Sequence, residues 1–301
     1  MSLREIGALL LMCLVWGFHF VVIKTVVGEV PPMFYAALRL ALVAALMSPF
    51  LRWRRGEMGR IFFGGLCLGI FNYAMMFTGV KLAPASAAAI AIELHVPFAT
   101  ILAMIFLGDR PGWRRLAGIA FAFTGVAIIA TGGSPSADPE ARIGIGVGLV
   151  AAAAFSEAIG AVLVKRSTAF NPRQLLAWFT LIGAFGLTLI TMVFEQDQMA
   201  AFEAVDKTLF FGAIVYSAVA ASIIGHSTYY WLLHRLPVSV VAPSVLLTTI
   251  FAVFFSVLLL GDPFGPRMAI GGFMTLLGVG VVLLRNIKKQ PNTGVLAEPP
   301  G

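Results

Sequence analysis

The chain repeats itself, and the parity of its segments turns the second copy over. Residues 84–126 align on 237–279 without a gap. Pro84 falls on Pro237, Ser86 on Ser239, Phe98 on Phe251, Leu107-Gly108-Asp109 on Leu260-Gly261-Asp262, Arg114 on Arg267, Gly118 on Gly271 and Gly125 on Gly278. The flanking parts agree at slightly shorter spacings, with Gly7 on Gly148, Lys24 on Lys165 and Pro32 on Pro172. Each copy carries five apolar segments of about the 20 residues that cross a bilayer core. An odd number of crossings makes the second copy enter from the opposite side. Inverted repeats of this kind build many secondary transporters.

Composition agrees with a polytopic membrane protein. Of 301 residues, 59% are hydrophobic and only 12% charged, with a mean hydropathy of +0.94; a soluble domain carries about one quarter charged residues. The expected fold is an all-α membrane protein of ten transmembrane helices at 5–27, 32–51, 61–80, 85–107, 116–133, 143–164, 174–194, 208–232, 238–260 and 268–285. Residues 5–133 and 143–285 are then the two repeats, and 286–301 a polar, disordered tail. The first apolar run has no small-residue cleavage site and is expected to stay as helix 1. Cys13 and Cys67 lie inside apolar segments as small buried hydrophobes, so no disulfide framework is implied.

The net charge of +7 does not indicate nucleic-acid binding, because the cations are spread over short interhelical connections. With the N-terminus in the cytoplasm, fifteen cations face inward: Arg4; Arg52, Arg54, Arg55 and Arg60; Arg110, Arg114 and Arg115; Lys165, Arg166 and Arg173; Arg235; and Arg285, Lys288 and Lys289. Lys24, Lys81, Arg142, Lys207 and Arg267 face outward. This asymmetry puts both termini in the cytoplasm and the acidic connections at 133–142 and 195–207 outside.

Several short runs carry a family likeness: Trp16-Gly17 followed by Val22-Ile23-Lys24, Pro32 with Arg39, Leu82-Ala83-Pro84-Ala85-Ser86, and the two Leu-Gly-Asp runs. In these the chain resembles the EamA type of the drug/metabolite transporter superfamily, over about residues 5–285. It departs from the family where Asp109 and Asp262 replace the commoner Glu, and where Phe18-His19 replaces the usual polar residue after Trp-Gly. The resemblance implies a central cavity lined by the first four helices of each half. It also implies export of small metabolites across a bacterial inner membrane, and similar members include exporters of amino acids, aromatic ones among them.

Ionisable groups inside a membrane are costly, about 2.5–3.5 kcal/mol at a helix centre, so they tend to face a wet cavity or a partner. Arg39, Glu93 and His19 are expected about 10–12 Å in from the outer face, and Glu157 and His226 about 10 Å from the inner face. Arg39 and a Glu would match the carboxylate and ammonium of an amino acid; equally, Arg39 and Glu93 would make a permanent ion pair between helices 2 and 4. Neither Glu is duplicated in the repeat, where Glu93 falls on Leu246 and Glu157 on Trp16. His95, two residues from Glu93, points to a nearly opposite face.

Aromatic residues extend this set. Trp16, His19 and Phe20 share one helix face, as do His226, Tyr229 and Tyr230; Asn72, Met76 and the adjacent Tyr73 mark helix 3, Trp178 helix 7 and Ser244 helix 9. Aromatic walls suit planar ligands and ammonium groups. Tyr35, Trp53, Trp113 and Trp231 lie near helix ends and read as interfacial anchors. Gly65/Gly69 and Gly144/Gly148 are expected to let helices approach closely, and Pro97 and Pro243 to kink helices 4 and 9.

The chain has no HExxH motif, and Asp109 and Asp262 stand at helix ends. Neither an enzyme nor a metal or cofactor site is indicated. The expected function is alternating-access export of small amphipathic metabolites, amino acids foremost, with the lipid bilayer as solvent and protons as a candidate coupling ion. The alternative is a multidrug or lipophilic-cation efflux carrier.

Overall fold

In lipid, backbone polar groups must be satisfied within each segment, which leaves helices as the solution for a chain of apolar runs. The computed structural model of the chain describes residues 1–107, 112–131, 141–165 and 170–289, without the side chains of 107, 141, 164, 165, 230, 238, 239, 242 and 285–289. Asp109, most of the 133–142 connection, the tail beyond Lys289 and the Tyr230 side chain therefore lie outside the described residues.

Every regular element among the described residues is helical. Four spans run without interruption in the first half and at its junction: α1 (Leu3–Glu29), α2 (Pro32–Met47), α5 (Trp113–Ala130) and α6 (Ala141–Lys165). α7 (Pro172–Phe194) and α10 (Pro266–Lys289) are likewise continuous. α3 (Met58–Gly65 and Asn72–Leu82) is joined through a π-helical stretch, Leu66–Phe71. α8 (Lys207–Val215 and Gly225–Arg235) has one too, at Tyr216–Ile224. α4 (Ala85–Ala91 and His95–Leu107) narrows to a 3-10 turn at Ile92–Leu94. α9 is broken at Val245 between Val238–Ser244 and Leu246–Leu260.

Among the described residues nine helical spans are long and apolar enough to cross a membrane; the tenth segment, α9, carries the shorter apolar helix Leu246–Leu260. Local chemistry sets several ends. Ser2 and Glu5 form a reciprocal capping box that starts α1 at Leu3, two residues earlier than expected. Asn171 and Gln174 do the same for α7, with Pro172 at its first position. The narrowing of α4 follows from Pro97, whose ring clashes with the carbonyl of residue 93. α10 continues to Lys289, into the expected tail. A short helix, Gln198–Ala204, occupies part of the expected 195–207 connection.

Contacts at opposite ends show which helices run antiparallel. The Trp178 indole at the start of α7 donates to the Arg52 carbonyl beyond α2 at 3.1 Å. At the other end of the pair, the Met33 and Phe34 amides both donate to the Glu195 carboxylate at 2.9 Å. α5 and α10 pack through glycine. A Cβ on Gly118 would lie 2.9 Å from the Gly278 carbonyl, and one on Gly125 2.7 Å from the Thr275 amide, closer than side chains tolerate. The Gly65/Gly69 pair likewise abuts α7, at Ile182 and Gly183. In α6 the close approaches are at Gly144, where a Cβ would lie 3.1 Å from the Ala130 carbonyl, and at Gly146, which meets Ala83, whereas nothing lies within 4 Å of a Cβ on Gly148.

Candidate substrate chamber

Two polar centres form between the helices. The first grows from the π-helical stretch of α8, where the wider turn aligns Ser217 and Ser222. Ser222 Oγ donates to the Ser217 carbonyl at 2.9 Å and accepts from Arg39 at 3.0 Å. Ser217 Oγ is 2.7 Å from the Tyr35 hydroxyl and 3.0 Å from His19 Nε2. Arg39 is 4% exposed, and its guanidinium lies over the rings of Tyr73 and Phe77 at 5.1 and 5.7 Å. Its Nε has no hydrogen-bond partner. His226 Nδ1 is 2.8 Å from the Ser222 carbonyl. Trp16 packs edge-on against His226 at 5.3 Å and beside Tyr229 at 5.9 Å, and donates to the Ala221 carbonyl. This centre is cationic.

The second centre is acidic and lies on α3, α4, α6 and α9. Glu93, 5% exposed, accepts from Thr249 Oγ1 at 2.5 Å. Asn72 Nδ2 donates to the Ala153 carbonyl at 3.0 Å and more weakly to Glu157 at 3.4 Å. Glu93, His95 and Glu157 lie within electrostatic reach of one another, and His226 lies within reach of both Arg39 and Glu157. The two centres therefore adjoin, yet no ion pair joins Arg39 to Glu93 among the described residues. The permanent Arg39–Glu93 bridge anticipated as one reading does not form.

The remaining expected residues fall in different places. Met76 is buried, and Tyr73 forms part of the Arg39 aromatic cradle. Ser244 donates to the Val240 carbonyl, and its own carbonyl accepts from Cys13, which places it between α9 and α1. Trp178 stands apart: it faces Trp53 at 5.9 Å and the Arg52 carbonyl at the bundle end. Tyr35 is no interfacial anchor, because its side chain is fully buried and its hydroxyl bonds Ser217 and the Ala213 carbonyl. Trp53 and Trp113, at 70% and 72% exposed, do sit on the surface. Ser217, Ser222 and Thr249 were not anticipated. Ser217 and Ser222 fall, in the repeat, on Gly64 and Gly69, a contrast that would have marked them.

A cavity adjoins the cationic centre through His226. It has a volume of about 760 Å³ and lies between α2, α7 and α8, at the end holding the start of α1 and the end of α10, with His226 in its wall. At the opposite end, hydrogen bonds tie α1 to α3 and α4 to the end of α9. Lys24 donates to the carbonyls of Val80, Lys81 and Ala83, at 2.9, 3.1 and 2.8 Å. The amide and hydroxyl of Ser86 donate to Asp262 Oδ2 at 2.8 and 2.7 Å.

Comparison with known proteins gives this geometry a family. The EamA-like transporter family matches twice, over residues 3–131 and 144–284. The chain belongs to the EamA-like transporter family. It is a multi-pass membrane transporter of the drug/metabolite superfamily and not an enzyme. Among relatives, a probable amino-acid metabolite efflux pump of Salmonella typhimurium is 28% identical over 93% of this chain and 94% of its own length. Its Escherichia coli counterpart is 27% identical over 92% and 94%. A crystal structure superposes with a TM-score of 0.62 at 17% identity, covering 96% of this chain and 100% of that one, a likeness of fold.

Proposed function

We propose that the chain exports small amphipathic metabolites, amino acids foremost, across the inner membrane, with both termini cytoplasmic and the open cavity facing the cytoplasm. The observation that carries the reading is Arg39. A guanidinium 4% exposed, held by one hydroxyl and two rings and lacking a carboxylate, is a cation short of its counterion. An α-amino acid supplies the missing carboxylate and places its ammonium toward Glu93 and Glu157. His19, Trp16, Asn72, Tyr73, His226 and Tyr229 would line the space between. A lipophilic cation would meet an unneutralised Arg39, so that alternative is disfavoured.

The repeat deepens the reading. Positions matched between the halves differ in character: Arg39 against Ser222 in one half answers to Phe179 against Gly64 and Gly69 in the other. Asn72 against Glu157 answers to Gly225 against Trp16. We take residues 5–133 and 143–285 as two inverted units that rock about this chamber, with the first unit contributing Arg39 and Glu93 and the second Glu157. Such a site is dipolar although its scaffold is two-fold.

Counterflow in proteoliposomes, with the twenty amino acids as competitors and with or without an imposed pH gradient, tests the reading. Saturable exchange inhibited by a subset of amino acids is expected. Exchange no faster than in protein-free liposomes would refute it. If Glu93→Gln and Glu157→Gln both retain full gradient-dependent flux, carboxylate-mediated proton coupling is excluded.

A further inference from the structure

We propose that the open cavity is a first binding station for the substrate's carboxylate, that Arg173 is its specificity-determining residue, and that the substrates admitted are acids with an apolar or aromatic side chain. The proposal rests on the transporter reading above and names the substrate class. Of the residues lining the 760 Å³ cavity, Arg173, His226 and His234 are basic or protonatable, Asn171 and Ser227 are neutral and polar, and none is acidic. Arg173 is exposed and forms no ion pair among the described residues. Its guanidinium rests 5.6 Å over the Phe50 ring. This stacking holds the group in place and leaves its edge donors free for a planar carboxylate. Arg235, over Trp231 at 4.6 Å, adds positive potential at the same end of α8. Cavities lined by one sign of charge concentrate the opposite ion.

The station leads inward. His226 in the cavity wall contacts the Ser222 carbonyl, and Ser222 Oγ accepts from Arg39. An acid held at Arg173 is thus separated from the buried guanidinium by His226 and one serine. Phe50, Trp231, Ile223 and Leu176 provide an apolar wall beside this path. An amine without a carboxylate finds no acidic side chain in the cavity lining.

The test is equilibrium binding of labelled L-phenylalanine to purified full-length protein in detergent, competed by L-phenylalaninamide and 2-phenylethylamine, with flux measured in parallel. Wild type should bind the acid at least about tenfold more tightly than either competitor, and binding should weaken with salt. Arg173→Gln should weaken acid binding about threefold to tenfold and flatten the salt dependence, allowing for solvent exposure. Arg173→Lys should restore part of both, and Arg173→Glu should narrow the gap between acid and amine. In flux the loss should appear in KM with Vmax unchanged. Equal competition by the amine, unchanged binding in Arg173→Gln and Arg173→Glu, or no binding of the acid overturns the inference. Acid-selective binding without flux overturns the carrier reading and leaves the station standing.

Discussion

Replacing Arg39 by methionine separates a binding role from a structural one, because the two predict opposite pairs of outcomes. Desolvation of a buried ion costs several kcal/mol, which Arg39→Met recovers. Lost in exchange are one charge-assisted hydrogen bond to Ser222, about 1.5–3 kcal/mol, and the ring contacts with Tyr73 and Phe77, about 1–2 kcal/mol together. Ser222 is not orphaned, since it still donates to the Ser217 carbonyl. The contributions nearly cancel, so the unfolding free energy should change by less than about 1 kcal/mol, a Tm shift within about 2–4 °C. For a bound carboxylate the same change removes about 2–5 kcal/mol, or roughly 30-fold to several thousand-fold in affinity. Thermal unfolding by tryptophan fluorescence, run beside binding of labelled L-phenylalanine, measures both. A keystone arginine would give the reverse: a loss of about 3–5 kcal/mol in stability with binding intact. That result would refute the assignment of Arg39 to the substrate.

Glu157→Gln should keep the fold, since Asn72 retains its bond to the Ala153 carbonyl, and should weaken binding of amino acids more than of their N-acetyl derivatives, as competition assays would show. Gly183→Val should destabilise by about 1–3 kcal/mol through overpacking, because a Cβ there already meets the Gly69 carbonyl carbon at 3.0 Å. Gly148→Ala, with nothing within 4 Å, should be neutral or stabilising by up to about 1 kcal/mol in the same melting assay. Asp262→Asn weakens the bonds from Ser86 that tie α4 to the end of α9 at the far end. A cysteine at Ala87 should then react faster with an impermeant maleimide from that side; an unchanged rate would show that the contact does not hold the end closed.

The helical architecture was legible because segment length and hydropathy are direct consequences of bilayer thickness. Irregularities were legible only where chemistry marks them. Pro97 forecasts the narrowing of α4, whereas no residue pattern announces the π-helical stretches that carry Ser217 and Ser222. Depth along a helix is also easier to read than azimuth. Arg39 and Glu93 sit at similar estimated depths, yet Glu93 turns to Thr249 on α9 and Arg39 to Ser222 on α8. Tyr35, four residues into the α2 segment, reads as an interfacial anchor until α8 is packed over it. Trp178 lies early in α7, and its indole turns to the Arg52 carbonyl at the bundle end instead of inward. Serines in membrane helices commonly serve packing, so their place in the cationic centre showed only once α1, α2 and α8 were brought together.

Alternating exposure of the chamber is tested most directly by side-specific labelling of a single cysteine at Ser222, with Cys13 and Cys67 replaced by alanine. A small, charged, membrane-impermeant thiol reagent should modify it when applied to either face of the membrane, and substrate should slow both reactions. Modification from one face alone, at a rate that substrate leaves unchanged, would contradict a carrier whose two halves open the same chamber to each side in turn.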